Sequence, residues 1–137
     1  MTRFVIDPGV ALRLAANQTA ISSAHQIVAP TLIRSQTLSL LYQAVQRGDL
    51  TKRAAESQLD YLRGLRMRLL RDRVLQAVAW KIADQLHWSD TFVAEYVALT
   101  QLQADAFVTV DPDLARAVDH LVTLAPIAAL SAFPAGA

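Results

Sequence analysis

The sequence predicts an α/β domain in three layers, with a central parallel sheet of about five strands between helices. Short apolar segments alternate along the chain with longer segments in which apolar residues recur at helical spacing. A hydrophobic content of 53% over 137 residues is enough to build one sizeable core. We therefore expect one domain over residues 1–131 and a loose C-terminal tail over 132–137.

The first half of the chain predicts two strands and two helices. "RFVID" (3–7) is an apolar run typical of a strand buried on both faces, and a helix follows through "ALRLAAN". "HQIVAP" (25–30) predicts the second strand, after which Thr31 caps a long helix that Gly48 ends. The expected core positions of that long helix are Leu32, Ile33, Leu40, Leu41 and Val45.

The second half continues the alternation of helices and strands. The predicted elements are a helix from Thr51 to near Gly64, a strand at "RMRLL" (66–70), a helix capped by Asp72 and running through Gln85, a helix from about Asp90 to Gln103, a strand at "AFVTV" (106–110), a helix beginning at Pro112, and a fifth strand at "LVTLA" (121–125).

The composition excludes several classes of site. The chain has no cysteine, which removes disulfides, thiolate metal centres and cysteine nucleophiles. A net charge of +1 argues against a protein whose whole surface binds nucleic acid. No signal peptide precedes Asp7 and no apolar window is long enough to span a membrane, so we expect a cytoplasmic protein.

Basic residues concentrate in "RGLRMRLLRDR" (63–73), which holds five of the 13 Lys and Arg residues. One interpretation is a charged edge strand, protected from pairing with other chains. The other is a patch that contacts RNA or a protein partner. The candidate contact residues are Arg66, Arg68, Arg71 and Arg73.

Two of the predicted strands end in an aspartate, Asp7 after "FVI" and Asp111 after "FVTV". Ligands of such sheets bind beyond the carboxyl ends of the strands, so the two carboxylates converge if the strands are neighbours. A pair of carboxylates without His or Cys suits Mg²⁺ or Mn²⁺. Alternatively, Asp7 is a turn residue and Asp111 caps the next helix, with Asp113 in its first turn.

Three segments resemble the PIN domains, and within them the VapC-type toxins of bacterial toxin–antitoxin pairs. The segments are "FVIDPGVALRLA", "VAPTLIRSQTLSLLYQAVQRGDLT" and "AEYVALTQLQADAFVTVDPDLARA", which together span nearly the whole chain. The resemblance implies a small α/β/α nuclease that cuts RNA with Mg²⁺ held by a cluster of acids. It also implies a homodimer inhibited by a VapB-like antitoxin.

The acids of the resemblance are only partly present. Its first acid matches Asp7, although Pro8-Gly9 stands where a Thr or Ser commonly follows. Its acid in the long helix falls at Gln36, which offers a carbonyl oxygen but no charge. Its last acid matches Asp111, with Asp113 as a possible auxiliary ligand.

A third acid would stand three residues before Tyr96, and this position is Val93. At about 100° per residue, Glu95 points about 160° away from Val93 and cannot replace the acid. Asp90 is about 60° away and could contribute a ligand, or it could be the N-cap of the helix.

Two functions therefore remain open. The first is a VapC-like, Mg²⁺-dependent endoribonuclease with weakened activity, since two of the expected acids are replaced. The second is a catalytically impaired binding protein on the same scaffold that retains antitoxin or RNA recognition. A nucleotide-binding role is disfavoured, because "DPGVALRL" supplies only one glycine for a phosphate loop.

Overall fold

The structure is a computed structural model that describes residues 1–133. Its elements in chain order are β1 (Thr2–Ile6), α1 (Pro8–Ala16), β2 (His25–Pro30), α2 (Leu32–Gln46), α3 (Lys52–Gly64), β3 (Met67–Leu70), α4 (Arg73–Gln85), α5 (Phe92–Gln103), β4 (Ala106–Val108), α6 (Pro112–Val118) and a 3-10 turn (Ile127–Leu130). Within residues 1–133, no helix is long and apolar enough to cross a membrane.

The four strands form one all-parallel sheet in the order β3-β2-β1-β4. β1 is central: Phe4 is in register with Ile27 of β2 on one side and with Ala106 of β4 on the other. Parallel neighbours need long crossover connections, and helices provide them here. The predicted alternation of strands and helices is therefore confirmed.

The strands are covered on both faces. Phe4, Val5 and Ile6 are consecutive residues of β1 and all are buried, although neighbouring side chains of a strand point to opposite faces. The helices that provide this cover form two groups, since α1, α2 and α3 pack on one another while α4 packs on α5. α5 also packs on β1, β2 and β4. The arrangement is consistent with three α/β/α layers.

The prediction of a fifth strand at 121–125 is wrong, because this segment touches the sheet at one point. Leu124 forms a single parallel bridge with Phe107, flanked by hydrogen bonds from Phe107 N to Thr123 O (2.8 Å) and from Ala125 N to Phe107 O (3.0 Å). Pro126 and the 3-10 turn follow at once, and Leu121, Val122 and Leu124 are only half-buried. The strand predicted at 106–110 also stops early, at Val108.

Helix boundaries and the core positions of α2 follow the predicted signals with three exceptions. Thr31 has helical backbone angles and makes no side-chain cap, so it does not cap α2 as predicted. In α2, Thr37 takes the core position expected for Leu40: Thr37 is buried beside Ile33, where its hydroxyl donates to the Ile33 carbonyl (2.8 Å), while Leu40 is exposed. α5 begins at Phe92, two residues later than expected. Gly48 has a φ of 80°, which explains why α2 ends there.

The predicted tail lies mostly outside the described residues. Ala132 N donates to Ala20 O (2.8 Å), and Phe133 is exposed. Residues 134–137 lie beyond the described part of the chain.

The caps give a test of local stability. Asp72→Ala should lower the free energy of unfolding by about 1 kcal/mol, because Asp72 Oδ1 accepts from Leu75 N (2.7 Å) at the start of α4. The matched control is Thr31→Ala, which removes no cap hydrogen bond and should change stability by less than about 0.5 kcal/mol. Urea unfolding measures both. Equal losses in the two variants would contradict this assignment of the caps.

Candidate active site

The strand order reverses between β1 and β4, and the carboxyl ends of these two strands define the region that we call the acidic crevice. From β1 the chain moves outward to β2 and then β3, whereas β4 returns to the other side of β1. Open parallel sheets bind ligands at such a reversal of strand order. Asp7 directly follows β1, and Asp111 lies three residues after the end of β4. The two strands predicted to bring these acids together are thus neighbours.

Asp7 combines a cap with a position in the crevice. Its Oδ1 accepts a hydrogen bond from Val10 N (2.9 Å), and Pro8 occupies the first turn of α1. Its Oδ2 accepts a hydrogen bond from the hydroxyl of Thr109 (2.6 Å). Both carboxylate oxygens are therefore oriented by fixed donors, which holds the side chain in one position at the sheet end.

Thr109 joins the two acid-bearing loops, and sequence reasoning missed it. Its hydroxyl donates to Asp7 and accepts from Asp111 N (3.2 Å). The resemblance expected a hydroxyl directly after Asp7, where Pro8-Gly9 stands, and here the hydroxyl comes from β4's side of the crevice. The available signal was the threonine two residues before Asp111, a spacing at which Thr hydroxyls accept backbone N–H groups.

Asp111 is exposed and also caps a helix. Its Oδ1 accepts from Asp113 N (2.9 Å) and Leu114 N (3.2 Å), at the start of α6. The capping interpretation and the crevice interpretation are both compatible with this geometry. One oxygen serves the helix, and the carboxylate still acts electrostatically on Asp7.

The electrostatics of the crevice disfavour negative charge on Asp7. Burial raises the pKa of Asp7 above its ordinary value, hydrogen bonds from Thr109 and Val10 oppose that rise, and the negative charge of Asp111 adds to it. Desolvation and a like charge both favour the protonated carboxyl. A cation placed between the two carboxylates would reverse both effects.

Gln36 and Tyr96 form a second polar pair of the same region. The Tyr96 hydroxyl donates to Gln36 Oε1 at 2.6 Å, and the tyrosine is buried. Burial, followed by the negative charges of Asp7 and Glu95, raises the pKa of Tyr96, so the phenol stays neutral and acts as a donor. The phenol therefore takes one of the two acceptor positions of the carbonyl oxygen that could receive a metal-bound water.

The remaining acids around α5 and α6 differ in their surroundings. Asp90 is exposed, and its Oδ1 accepts from Phe92 N (3.1 Å) just ahead of α5. Asp113 is exposed and forms a salt bridge with Arg116. Glu95 is half-buried rather than fully solvated, and burial raises its pKa. Val93 has an exposed fraction of 37%, so an apolar side chain faces solvent one turn before Tyr96.

The four predicted arginines do not form one patch. Arg71 and Arg73 follow β3 at the carboxyl ends of the strands, which is the end that carries Asp7 and Asp111. Arg66 and Arg68 lie at the start of β3 and line a cleft at the amino ends. Arg71 and Arg73 thus share the end of the sheet with the acids, with β2 between β3 and β1.

The carboxylates at this end of the sheet fit one known mode of binding a divalent cation. Residues 1–133 contain no group of three or more His, Asp, Glu or Cys side chains that could enclose a metal. Mg²⁺ is also bound by one or two carboxylates together with waters and substrate phosphates. Asp7 and Asp111 fit that sparse mode, because the charge of Asp111 is close enough to raise the pKa of Asp7, whereas neither Asp90 nor Asp113 is among the groups that shift it.

Comparison with known proteins extends the description of the fold. No family model matches the chain, and no curated protein matches it. The structure is similar to the crystal structure of PAE2754 from Pyrobaculum aerophilum, with a TM-score of 0.66 and 15% sequence identity. The similarity covers 92% of this chain and 91% of that chain. At this level of identity the likeness shows a shared fold.

The raised pKa of Asp7 predicts that Asp7→Asn stabilises the protein at pH 7, by about 0.5–2 kcal/mol. A carboxyl whose folded-state pKa is raised loses stability as the pH rises from its unfolded value through its folded value. Asn carries no charge and keeps an oxygen for Val10 N, and its amide nitrogen donates to the Thr109 hydroxyl instead of accepting from it. The gain should shrink at about pH 3, where wild-type Asp7 is protonated as well.

Urea unfolding at both pH values measures this gain. The control is Asp84→Asn, which removes one charge from an exposed position of α4 and should leave stability nearly unchanged. Destabilisation by Asp7→Asn at pH 7 would show that the carboxylate charge is worth more to the fold than its burial costs.

The bridging role of Thr109 predicts a difference between two substitutions. Thr109→Val removes the hydroxyl at nearly constant volume, so it should cost about 1.5–3 kcal/mol and raise the pKa of Asp7 further. Thr109→Ser keeps the hydroxyl and should preserve most of both properties. Unfolding curves and an NMR titration of the Asp7 carboxyl carbon measure them. Identical behaviour of the two variants would exclude the bridge.

Proposed function

We propose that the protein is a PIN-like, VapC-type endoribonuclease that cleaves RNA phosphodiester bonds with Mg²⁺ and with weakened activity. The observation that carries the proposal is the contact between the carboxyl ends of β1 and β4, where the Thr109 hydroxyl donates to the Asp7 carboxylate and accepts from the backbone N–H of Asp111. The sequence resemblance supplies the activity class. The fold, which is shared with a solved structure along nearly the whole chain, is compatible with it.

The residues at this end of the sheet would have different roles in such a reaction. Asp7 and Asp111 would hold the cation, and Mn²⁺ could replace Mg²⁺. When bound, the metal supplies positive charge next to the scissile phosphate and lowers the pKa of a bound water. Thr109 keeps the Asp7 carboxylate in position through the bond to Oδ2. Arg71 and Arg73 lie at the same end of the sheet and are exposed, where they can contact RNA phosphates.

Two replaced acids explain why we expect weak RNA cleavage. Gln36 brings no charge, and its Oε1 already accepts from Tyr96. Val93 offers no oxygen where the resemblance expects an acid. With two carboxylates instead of about four, the cation is held more weakly and depends more on oxygens that the RNA brings.

A second candidate is a binding protein on this scaffold that no longer cleaves efficiently. The observation that favours it is the exposure of Phe92 and Val93 at the start of α5, in the turn before Tyr96. Exposed apolar side chains beside a site are more typical of a contact surface than of a metal centre. Such a protein would retain recognition of an antitoxin or of RNA.

The proposed partners are a VapB-like antitoxin and a second copy of the chain. α2 exposes Leu38 and Tyr42, which are four residues apart on one face of the helix, so apolar surface is available there for a partner. We also propose a cytoplasmic location, as expected from the sequence.

The proposal predicts that the wild-type protein cleaves RNA slowly and only with Mg²⁺ or Mn²⁺. Asp7→Asn should reduce the rate by more than about 100-fold, because even outer-shell changes at metal sites cost on the order of 10–100-fold. Val93→Asp should increase the rate and lower the Mg²⁺ concentration needed, since it restores a carboxylate. Cleavage of a fluorescent RNA pool, with and without EDTA, measures these rates.

The controls separate the two candidates. Asp84→Asn should cleave at the wild-type rate, since this position is exposed on α4 away from the crevice. Wild-type cleavage that survives Asp7→Asn would point to a contaminating nuclease and remove the proposal. Activity in Val93→Asp alone would select the binding protein.

A further inference from the structure

A second concave site lies at the opposite end of the sheet from the acidic crevice. It is an open cleft of about 880 Å³, within the range of roughly 300–1,000 Å³ typical of small-molecule sites. The loop between α1 and β2, the starts of β2 and β3, and the end of α3 form its walls. The six residues of β2 separate the two ends of the sheet by roughly 20 Å.

One wall of the cleft is held by a specific contact between distant parts of the chain. The Tyr61 hydroxyl in α3 donates to the backbone carbonyl of Thr19 at 2.6 Å. This bond ties α3 to the loop before β2, and Tyr61 is half-buried in the contact. The cleft is therefore a preformed feature of the fold.

The charge of the cleft is positive. Arg66 and Arg68 are two residues apart at the start of β3, both are exposed, and neither forms a salt bridge within residues 1–133. The acid of the lining, Asp60, accepts a hydrogen bond from Arg63 at 2.7 Å and is locally neutralised. Two guanidinium groups are thus left without an acidic partner beside the cavity.

The rest of the lining is largely apolar. Half-buried or buried hydrophobic side chains lie among the residues of the walls, where they leave apolar surface open to a ligand. Guanidinium groups recognise carboxylate, sulfonate or phosphate oxygens, and the apolar wall favours a hydrocarbon body. The half-buried apolar lining residues are Ile21, Leu65 and Met67, and the polar residues that also line the cleft are Thr19, Ser22, Ser23, His25 and Gln26.

We propose that this cleft binds a small organic anion, with its acidic group on Arg66 and Arg68 and its apolar body against the wall formed by α3 and the loop before β2. Protection of the β3 edge explains charge on that strand, but it does not explain a cavity beside the charge. The site is independent of the acidic crevice and of RNA cleavage, so each proposal can fail without the other.

The test is an NMR titration of the full-length protein with naphthalene-2-sulfonate, which carries both an acidic group and an apolar body. Shift changes should concentrate at residues 19–27 and 61–68. Two comparison probes separate the contributions: naphthalene-2-sulfonamide is neutral at pH 7, and inorganic sulfate has no apolar body. Each should bind at least about ten-fold more weakly than the sulfonate, which corresponds to about 1.4 kcal/mol.

Paired variants test the arginines. The double variant Arg66→Gln, Arg68→Gln should weaken binding of the sulfonate at least about ten-fold. The matched control Arg71→Gln, Arg73→Gln removes the same charge at the other end of β3 and should bind within two-fold of the wild type. All four positions are exposed, so both variants should fold, which circular dichroism checks.

Several outcomes would overturn the proposal. Equal losses in the two double variants would mean that only net charge attracts the probe. If the sulfonamide binds as tightly as the sulfonate, the cleft recognises the apolar body and not the anion. If sulfate binds as tightly as the sulfonate, the arginines attract anions without a contribution from the apolar wall. Absence of shift changes near the cleft would remove the site.

Discussion

The central strand β1 is the constraint on which the other parts of the structure depend. It pairs along both edges, and Val5 and Ile6 have no exposed surface. A parallel strand without a free edge or a free face requires neighbours on both sides and helices above and below. It also leaves Asp7, the first residue after the strand, at the edge of a sheet from which water is largely excluded. The burial that stabilises the fold is thus the same burial that raises the pKa of this carboxyl.

The acidic crevice balances this penalty with hydrogen bonds rather than with charge. Thr109 and Val10 donate to Asp7, while Asp111 opposes its ionisation. Gln36 and Tyr96 satisfy each other nearby as neutral groups. With fewer negative charges, the site destabilises the folded protein less when no cation is bound, and it binds a cation more weakly. Under the proposed function, these replacements exchange metal affinity for stability of the free protein.

The two ends of the sheet differ in chemistry although they share the same strands. The carboxyl ends carry Asp7 and Asp111 with Arg71 and Arg73 at a distance, whereas the amino ends carry Arg66 and Arg68 beside an apolar cleft. The length of β3 explains the division, because four extended residues place the two arginine pairs at its opposite ends. A cluster that is continuous in sequence therefore serves two surfaces, and its chemistry cannot be assigned as a unit.

Local periodicity and turn chemistry in the sequence predicted the alternation of strands and helices, the four sheet strands and the position of Asp7 directly after β1. Asp111 lies three residues beyond the end of β4 rather than at its end. The strand predicted at 121–125 is absent, because the apolar pattern of this segment is compatible with a strand but only Leu124 forms a bridge to the sheet. Strand order, the Thr109 bridge and the Tyr96–Gln36 bond were decided by tertiary structure alone. These contacts join residues 102 and 60 positions apart, and no local pattern specifies which distant side chains meet.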